Sequence, residues 1–200
     1  MIAKNIFSKL RIRAFDYKRK IQIYLGSINV LRAYYWGIKL GKNPKFRGHC
    51  FFKKAYSTEI TIGDNFSAVS IVKESNLVKR PCTIQTNRKG ACLKIGNNVR
   101  MSGCIIACFK NIKIGDNVRI GGNCTIFDGD FHLDDSRVGQ PRDIVIEDNV
   151  WLGYEVIVLK GVHIGANSVI GAGSVVTKDI PSNSVAAGNP CKIIKKIDEI

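Results

Sequence analysis

From Ile146 to Val176 an aliphatic residue returns at every sixth position, as Ile146, Leu152, Val158, Ile164, Ile170 and Val176. Ile114, Ile120 and Ile126 keep the same spacing upstream, with Ile95 and Met101 before them. A helix buries positions three or four apart and a half-buried strand alternates, so a period of six fits neither. Small or turn-forming residues follow the aliphatic one, in IGNN, IGDN, IGGN, LGYE, IGAN and IGAG. Gly and Asn tolerate the left-handed backbone that a sharp corner demands. Each unit predicts one short strand and one corner, and three units close a triangular coil.

Two residues before each aliphatic position stand Val118, Cys124, Val150, Val156, Val162, Ser168 and Ser174, which are small or β-branched. On an extended chain they share the inward side, so the expected core is a thin column of side chains stacked at the inter-strand spacing of about 4.8 Å. About five to seven coils are expected between residues 57 and 187 for a repeat of this size. The rhythm breaks once. Ile146 follows Ile126 by twenty positions, not a multiple of six, and the polar stretch FDGDFHLDDSRVGQPRD reads as an extruded loop. Because every coil resembles the last, chemistry is expected where the pattern fails.

Charge divides the chain again. Residues 1–54 hold 14 Lys and Arg against the single acid Asp16, while the rest carries 17 against 15. That distribution describes a basic arm on a near-neutral body. Its cations alternate with Ile6, Leu10, Ile12, Phe15, Ile21, Ile23, Leu25, Leu31, Tyr34, Tyr35 and Trp36. Amphipathic helices fit this composition, lying either on an anionic membrane face or on the protein itself. The fold class expected is all-β, a parallel β-helix of hexapeptide repeats with a basic, helical N-terminal extension. Its parts are residues 1–45 as the extension, 46–190 as the β-helix with the loop at 127–143, and 191–200 as a tail. Hydrophobic residues at 45% and charged ones at 24% disfavour disorder. No apolar run reaches 18 residues and the N-terminus lacks a continuous apolar signal core, so a cytoplasmic location is expected.

The seven cysteines, Cys50, Cys82, Cys92, Cys104, Cys108, Cys124 and Cys191, include no CxxC pair and read as reduced structural thiols. Cys104 and Cys108 have no His beside them, and Asp128, Asp130 and His132 offer too few ligands for Ca²⁺ or Zn²⁺. No metal is expected. His163 lies between inward Val162 and Ile164 and so points out of the prism; His49 falls outside the repeats.

The repeats, with EDNVWLGYEVIVLKGVHIGANSVIGAGSVVTKDIPSNSVAAGNPCKII at 147–194, resemble the hexapeptide-repeat acyltransferases with a left-handed parallel β-helix. The branch most similar holds the maltose, galactoside, xenobiotic and surface-polysaccharide acetyltransferases. The resemblance implies a homotrimer with active sites between neighbouring prisms and acetyl-coenzyme A along each cleft. It places the catalytic base at His132, which suits a proton transfer near neutral pH. Asp130 and Asp128, at two-residue intervals before it, are candidates to orient the ring. By the same resemblance Trp151, Gly153, Tyr154, Ala172, Thr177 and Lys178 border the pantetheine arm, with a backbone N–H near Gly153 or Tyr154 as oxyanion donor. Lys192 and Lys195 face the coenzyme phosphates. Where the sugar enzymes carry an acceptor-binding Asn, RMSGCII at 100–106 offers Ser102.

The function these residues point to is O-acetylation of a sugar hydroxyl of a surface polysaccharide or its precursor, with the basic arm touching the inner membrane face. Three alternatives stand beside it. One is N-acetylation of an amino sugar or small amine. A metal-dependent enzyme of the γ-carbonic anhydrase kind needs closely spaced His ligands, which His49, His132 and His163 do not supply. A non-catalytic scaffold would bind lipid or nucleic acid through the arm, although no specific nucleic-acid motif is present.

Overall fold

The computed structural model describes residues 12, 13, 17, 21, 26–72, 77–132, 135 and 137–197. Short parallel strands wind in strict rotation through three faces of a left-handed prism. The first face stacks Lys39–Leu40, Glu59–Ile62, Cys92–Ile95, Asn111–Ile114, Ile144–Ile146 and His163–Ile164. The second stacks Lys45–Arg47, Ser67–Val69, Arg100–Ser102, Arg119–Gly122, Trp151–Leu152, Val169–Ile170 and Ser184–Ala187, then turns back through antiparallel Lys192–Lys196. The third stacks Phe51–Lys53, Thr83–Thr86, Ile105–Cys108, Thr125–Phe127, Ile157–Val158 and Val175–Val176. Among the described residues this makes six full coils and a partial seventh, in which Ile180 bridges Ile164.

The predicted inward residues form the core. Ile114, Ile120, Ile126, Ile146, Leu152, Val158, Ile164, Ile170 and Val176 are buried, as are Val118, Cys124, Val150, Val156, Val162, Ser168 and Ser174 between them. Each aliphatic side chain so buried contributes about 1.5–3 kcal/mol. Cys50, Cys82, Cys104 and Cys124 take the inward place before the third face in four successive coils, and burial pushes the first three thiols upward in pKa.

The first rung lies at Lys39–Leu40, inside the stretch expected to be the extension. The first coil keeps Leu40, Gly41 and Asn43 at its corner, but aromatic residues fill its interior: Phe46 packs edge-on against Phe52 and obliquely on Phe66 of the next coil, both at 5.8 Å between ring centroids. Helical residues 26–35 cover this end. Ala33 and Ile38 are buried there, and the Asn29 side chain donates to Gly48 O at 2.7 Å and accepts from Cys50 N at 3.0 Å. A stack of rungs needs such a cap at its open end. Most of residues 1–25, which the sequence reading assigned to the basic arm, lie outside the described residues. Among those described, no helix is long and apolar enough to cross a membrane.

Candidate active site

The third face ends at Phe127 and the first resumes at Ile144, so the loop leaves the prism along the edge between those two faces. Its neck is closed by Arg142 N donating to Asp128 O at 2.9 Å. Asp128 turns its carboxylate inward. It is buried and accepts from Phe109 N at 2.5 Å and Lys110 N at 2.8 Å, with the Cys108 thiol at 3.7 Å. Burial raises its pKa, and the backbone N–H donors oppose that shift. Asp130 pairs with Lys160, whose ammonium also donates to Gly139 O at 2.8 Å. Lys160 therefore holds both limbs of the loop from the next coil. Phe131 packs edge-on against Phe109 at 4.9 Å, and its neighbour His132 is exposed. Among the described residues, neither aspartate is hydrogen-bonded to the His132 ring; both carboxylates are bonded elsewhere and shape the loop instead.

Lys160 was not among the residues read from the sequence. Its signal was faint: a cation in LKG one coil beyond the insertion, at the corner after the third face. Position alone does not reveal that its reach ends on Asp130.

On the second face Ser102 and Trp151 line one open cleft of about 440 Å³ with Arg100, Arg119 and Gly121. Trp151 is 52% exposed, a large indole left bare beside a cleft. At Gly153 a β-carbon would lie 2.7 Å from Ala172 N, so the next coil excludes any side chain there. Gly153 N is spent on Ile170 O at 2.8 Å, whereas the Tyr154 N–H has no intrachain acceptor among the described residues. That leaves Tyr154 as the free donor of the two expected. Lys79 lies 5.7 Å over the Tyr154 ring and pairs with Glu155. Ala172 is exposed at the corner after the second face; Thr177 and Lys178 are exposed at the corner after the third; Lys192 and Lys195 are exposed on the antiparallel final strand.

The expected site residues thus fall into two groups. Ser102, Trp151, Gly153, Tyr154 and Ala172 belong to the second face and its far corner, with Lys192 and Lys195 at its end. His132, Thr177 and Lys178 belong to the edge between the third and first faces. That edge is the one the second face does not touch, so a single prism keeps the two groups apart. The other histidines are engaged: His163 pairs with Glu147 at 2.8 Å, and His49 contacts Arg32 and stacks edge-on with Phe51. Burial, then Arg32, lowers the His49 pKa. Among the described residues no three His, Cys, Asp or Glu side chains are placed to hold a metal ion.

Comparison with known proteins sorts these features. Residues 143–178 match the family described as bacterial transferase hexapeptide (six repeats), and residues 111–129 match the hexapeptide repeat of succinyl-transferase. Over these segments the chain is similar to hexapeptide-repeat transferases. The galactoside O-acetyltransferase of Lactococcus lactis is 46% identical over 116 residues, covering 52% of this chain and 56% of that protein. The chain spans about half the length of the curated relatives it matches. A hexapeptide-repeat acetyltransferase of Vibrio cholerae, solved with acetyl-coenzyme A, is 27% identical, covers 96% of this chain and 89% of its own, and has a TM-score of 0.51. AntD, an N-acyltransferase from Bacillus cereus solved with an amino-sugar nucleotide and coenzyme A, is 15% identical, with coverage of 84% and 89% and a TM-score of 0.65. At that identity it shares the fold alone. The two matched segments flank the loop that carries His132.

Proposed function

We propose that this chain transfers the acetyl group of acetyl-coenzyme A to a hydroxyl of a saccharide, and that it works as a homotrimer. The observation that carries this reading is the separation of the two residue groups. His132 sits on an edge opposite the face that holds Trp151, Tyr154 and Ser102, so the site is complete only where the edge of one prism meets the second face of another. Relatives that are named acetyltransferases, or are solved with acetyl-coenzyme A, support the donor. The galactoside enzyme supports a hydroxyl acceptor.

In this reading the neutral His132 imidazole takes the hydroxyl proton as the oxygen attacks the thioester carbonyl. The Tyr154 N–H donates to the oxyanion of the tetrahedral intermediate, and being fixed by the backbone it needs no rearrangement as charge develops. The carbon–sulfur bond then breaks and the imidazolium returns its proton to the coenzyme thiolate. Asp128 and Asp130 act on the ring indirectly, by holding the loop. Trp151, Gly153, Ala172, Thr177 and Lys178 flank the pantetheine arm, and Lys192 and Lys195 neutralise the phosphates as point charges. Ser102 faces the acceptor. A cytoplasmic enzyme acting on a polysaccharide precursor, its arm on the inner membrane face, accords with the basic N-terminal composition.

Release of free coenzyme A from acetyl-coenzyme A, followed with a panel of saccharides and amino sugars, tests the reading. Saccharide-dependent release with an ester product is expected. Acetylation confined to amines removes the hydroxyl assignment.

A further inference from the structure

The second face has an electrostatic character that the proposed chemistry does not use. No Asp or Glu occurs in any of its eight strands, which carry Lys45, Arg47, Arg100 and Arg119 upstream of Trp151. Arg100 and Arg119 are register partners on adjacent rungs, and Arg119 is in turn the partner of Trp151. Strands so paired lie about 4.8 Å apart, and like charges directly opposite each other destabilise a sheet. Both side chains are exposed, and neither forms an ion pair or side-chain hydrogen bond among the described residues. The acids at the adjoining corner, Asp64, Asp116 and Asp148, accept from the backbone N–H groups of Lys42, Asn97 and Asp116. Two unneutralised guanidinium groups therefore stand side by side in the cleft that also holds Ser102 and Trp151.

Direction along the face assigns them to one reactant. The residues proposed for the coenzyme run from Trp151 toward the C-terminal coils and end at Lys192 and Lys195. Arg119 and Arg100 lie on the opposite side of Trp151, toward the N-terminal coils, where Ser67 and then Lys45 continue the same row. We infer that Arg100 and Arg119 form an anion subsite for the acceptor, and that the acceptor is a phosphorylated saccharide. The planar guanidinium fork matches a phosphate with paired N–H donors, and a phosphate between two such forks relieves their mutual repulsion. This rests on the acyl-transfer reading only for the word acceptor; the anion subsite itself is a property of the face.

Calorimetric titration of the full chain with glucose 1-phosphate and with glucose, each with and without saturating coenzyme A, tests it directly. Glucose 1-phosphate is expected to bind about 10- to 100-fold more tightly than glucose, the range of charge-assisted hydrogen bonds, and to do so with coenzyme A present. In the doubly substituted R100Q/R119Q protein that preference disappears, while R119K, which keeps the charge and loses the fork, retains part of it. Equal binding of the two sugars, or an unchanged preference in the double variant with a native melting temperature, overturns the subsite. Displacement of glucose 1-phosphate by coenzyme A reassigns the pair to the donor and also overturns it. Tight binding of glucose 1-phosphate by a protein that never consumes acetyl-coenzyme A leaves the subsite standing and removes the acyl-transfer reading instead.

Discussion

Two edges of this prism are made by one chain and built in opposite ways. The edge between the first and second faces repeats one turn in coil after coil: Asn43, Asn65, Asn98, Asn117, Asn149, Asn167 and Asn183 all adopt positive φ, between 54° and 60°. Their side-chain amides hydrogen-bond along the edge, as from Asn65 to Asn98 at 3.1 Å, Asn98 to Asn117 at 3.0 Å and Asn167 to Asn183 at 2.9 Å. Beside them Gly115 leaves room for Asp148, whose Oδ1 would lie 2.2 Å from a β-carbon there. The edge between the third and first faces keeps no such rule. Ser57, Gly90 and Gly161 turn three of its coils, and between Phe127 and Ile144 the chain leaves altogether. A corner whose polar groups are mostly spent on the next coil has little left to offer a substrate. Where the chain leaves the prism, side chains are freed, and the loop that carries the exposed His132 is held through Asp128, Lys160 and Phe109.

The sharpest way to break this contrast is at His132. Replacing it with Gln should lower acetyl transfer by about 10²- to 10⁴-fold, the usual worth of a positioned general base, while coenzyme A affinity and melting temperature stay native. Undiminished turnover in a steady-state assay would mean that the interrupted edge is not where the reaction occurs.

The loop's root comes next. Asp128→Ala leaves the buried N–H groups of Phe109 and Lys110 without their acceptor and should cost about 1–3 kcal/mol, lowering the melting temperature by several degrees. Asp128→Asn keeps one acceptor oxygen and should cost less. The pH dependence separates the charge from the hydrogen bonds. Because the folded pKa of Asp128 is raised by burial, its contribution is complete below the ordinary aspartate range near 4 and declines as pH rises through the folded value. Melting curves of the Asn variant should lack that decline; an identical pH profile in both proteins would show that burial does not govern this carboxylate.

The regular edge should yield least. Asn117→Ala puts an ordinary side chain at φ 57° and removes the acceptor for Asn98, at a cost of about 1 kcal/mol. Asn117→Gly should remain within a few tenths of native, since a corner residue there needs only the backbone freedom. If denaturant unfolding placed the Gly variant as far below native as the Ala variant, the amide ladder rather than the turn would be what holds this edge.

Much of this was legible before any coordinates. Val162 and Ile164 in sequence already require His163 to face outward, and the spacing of Ile126 and Ile146 already requires an interruption. The first coil was less legible: Leu40, Phe46 and Phe52 keep the six-residue spacing, but phenylalanines hold two of the inward places that later coils give to aliphatic residues. The roles of the two aspartates were not legible either. Alternation allowed Asp128, Asp130 and His132 to share a side, yet the loop bends at its neck, turning Asp128 into the prism and Asp130 toward Lys160.

The sequence by itself determined the period, and with it the coil, the inward residues and the place of the break, because a six-residue rhythm with Gly or Asn at its corners has few other ways to bury its aliphatic positions. The tertiary structure decided everything that depends on neighbours from different coils. It set Arg100 beside Arg119, spent Asp128 on the backbone of Phe109 and Lys110, and sent His132 to the edge away from Trp151. Those relations join residues 18 or 19 positions apart, where proximity depends on how the coils stack and no local pattern records it.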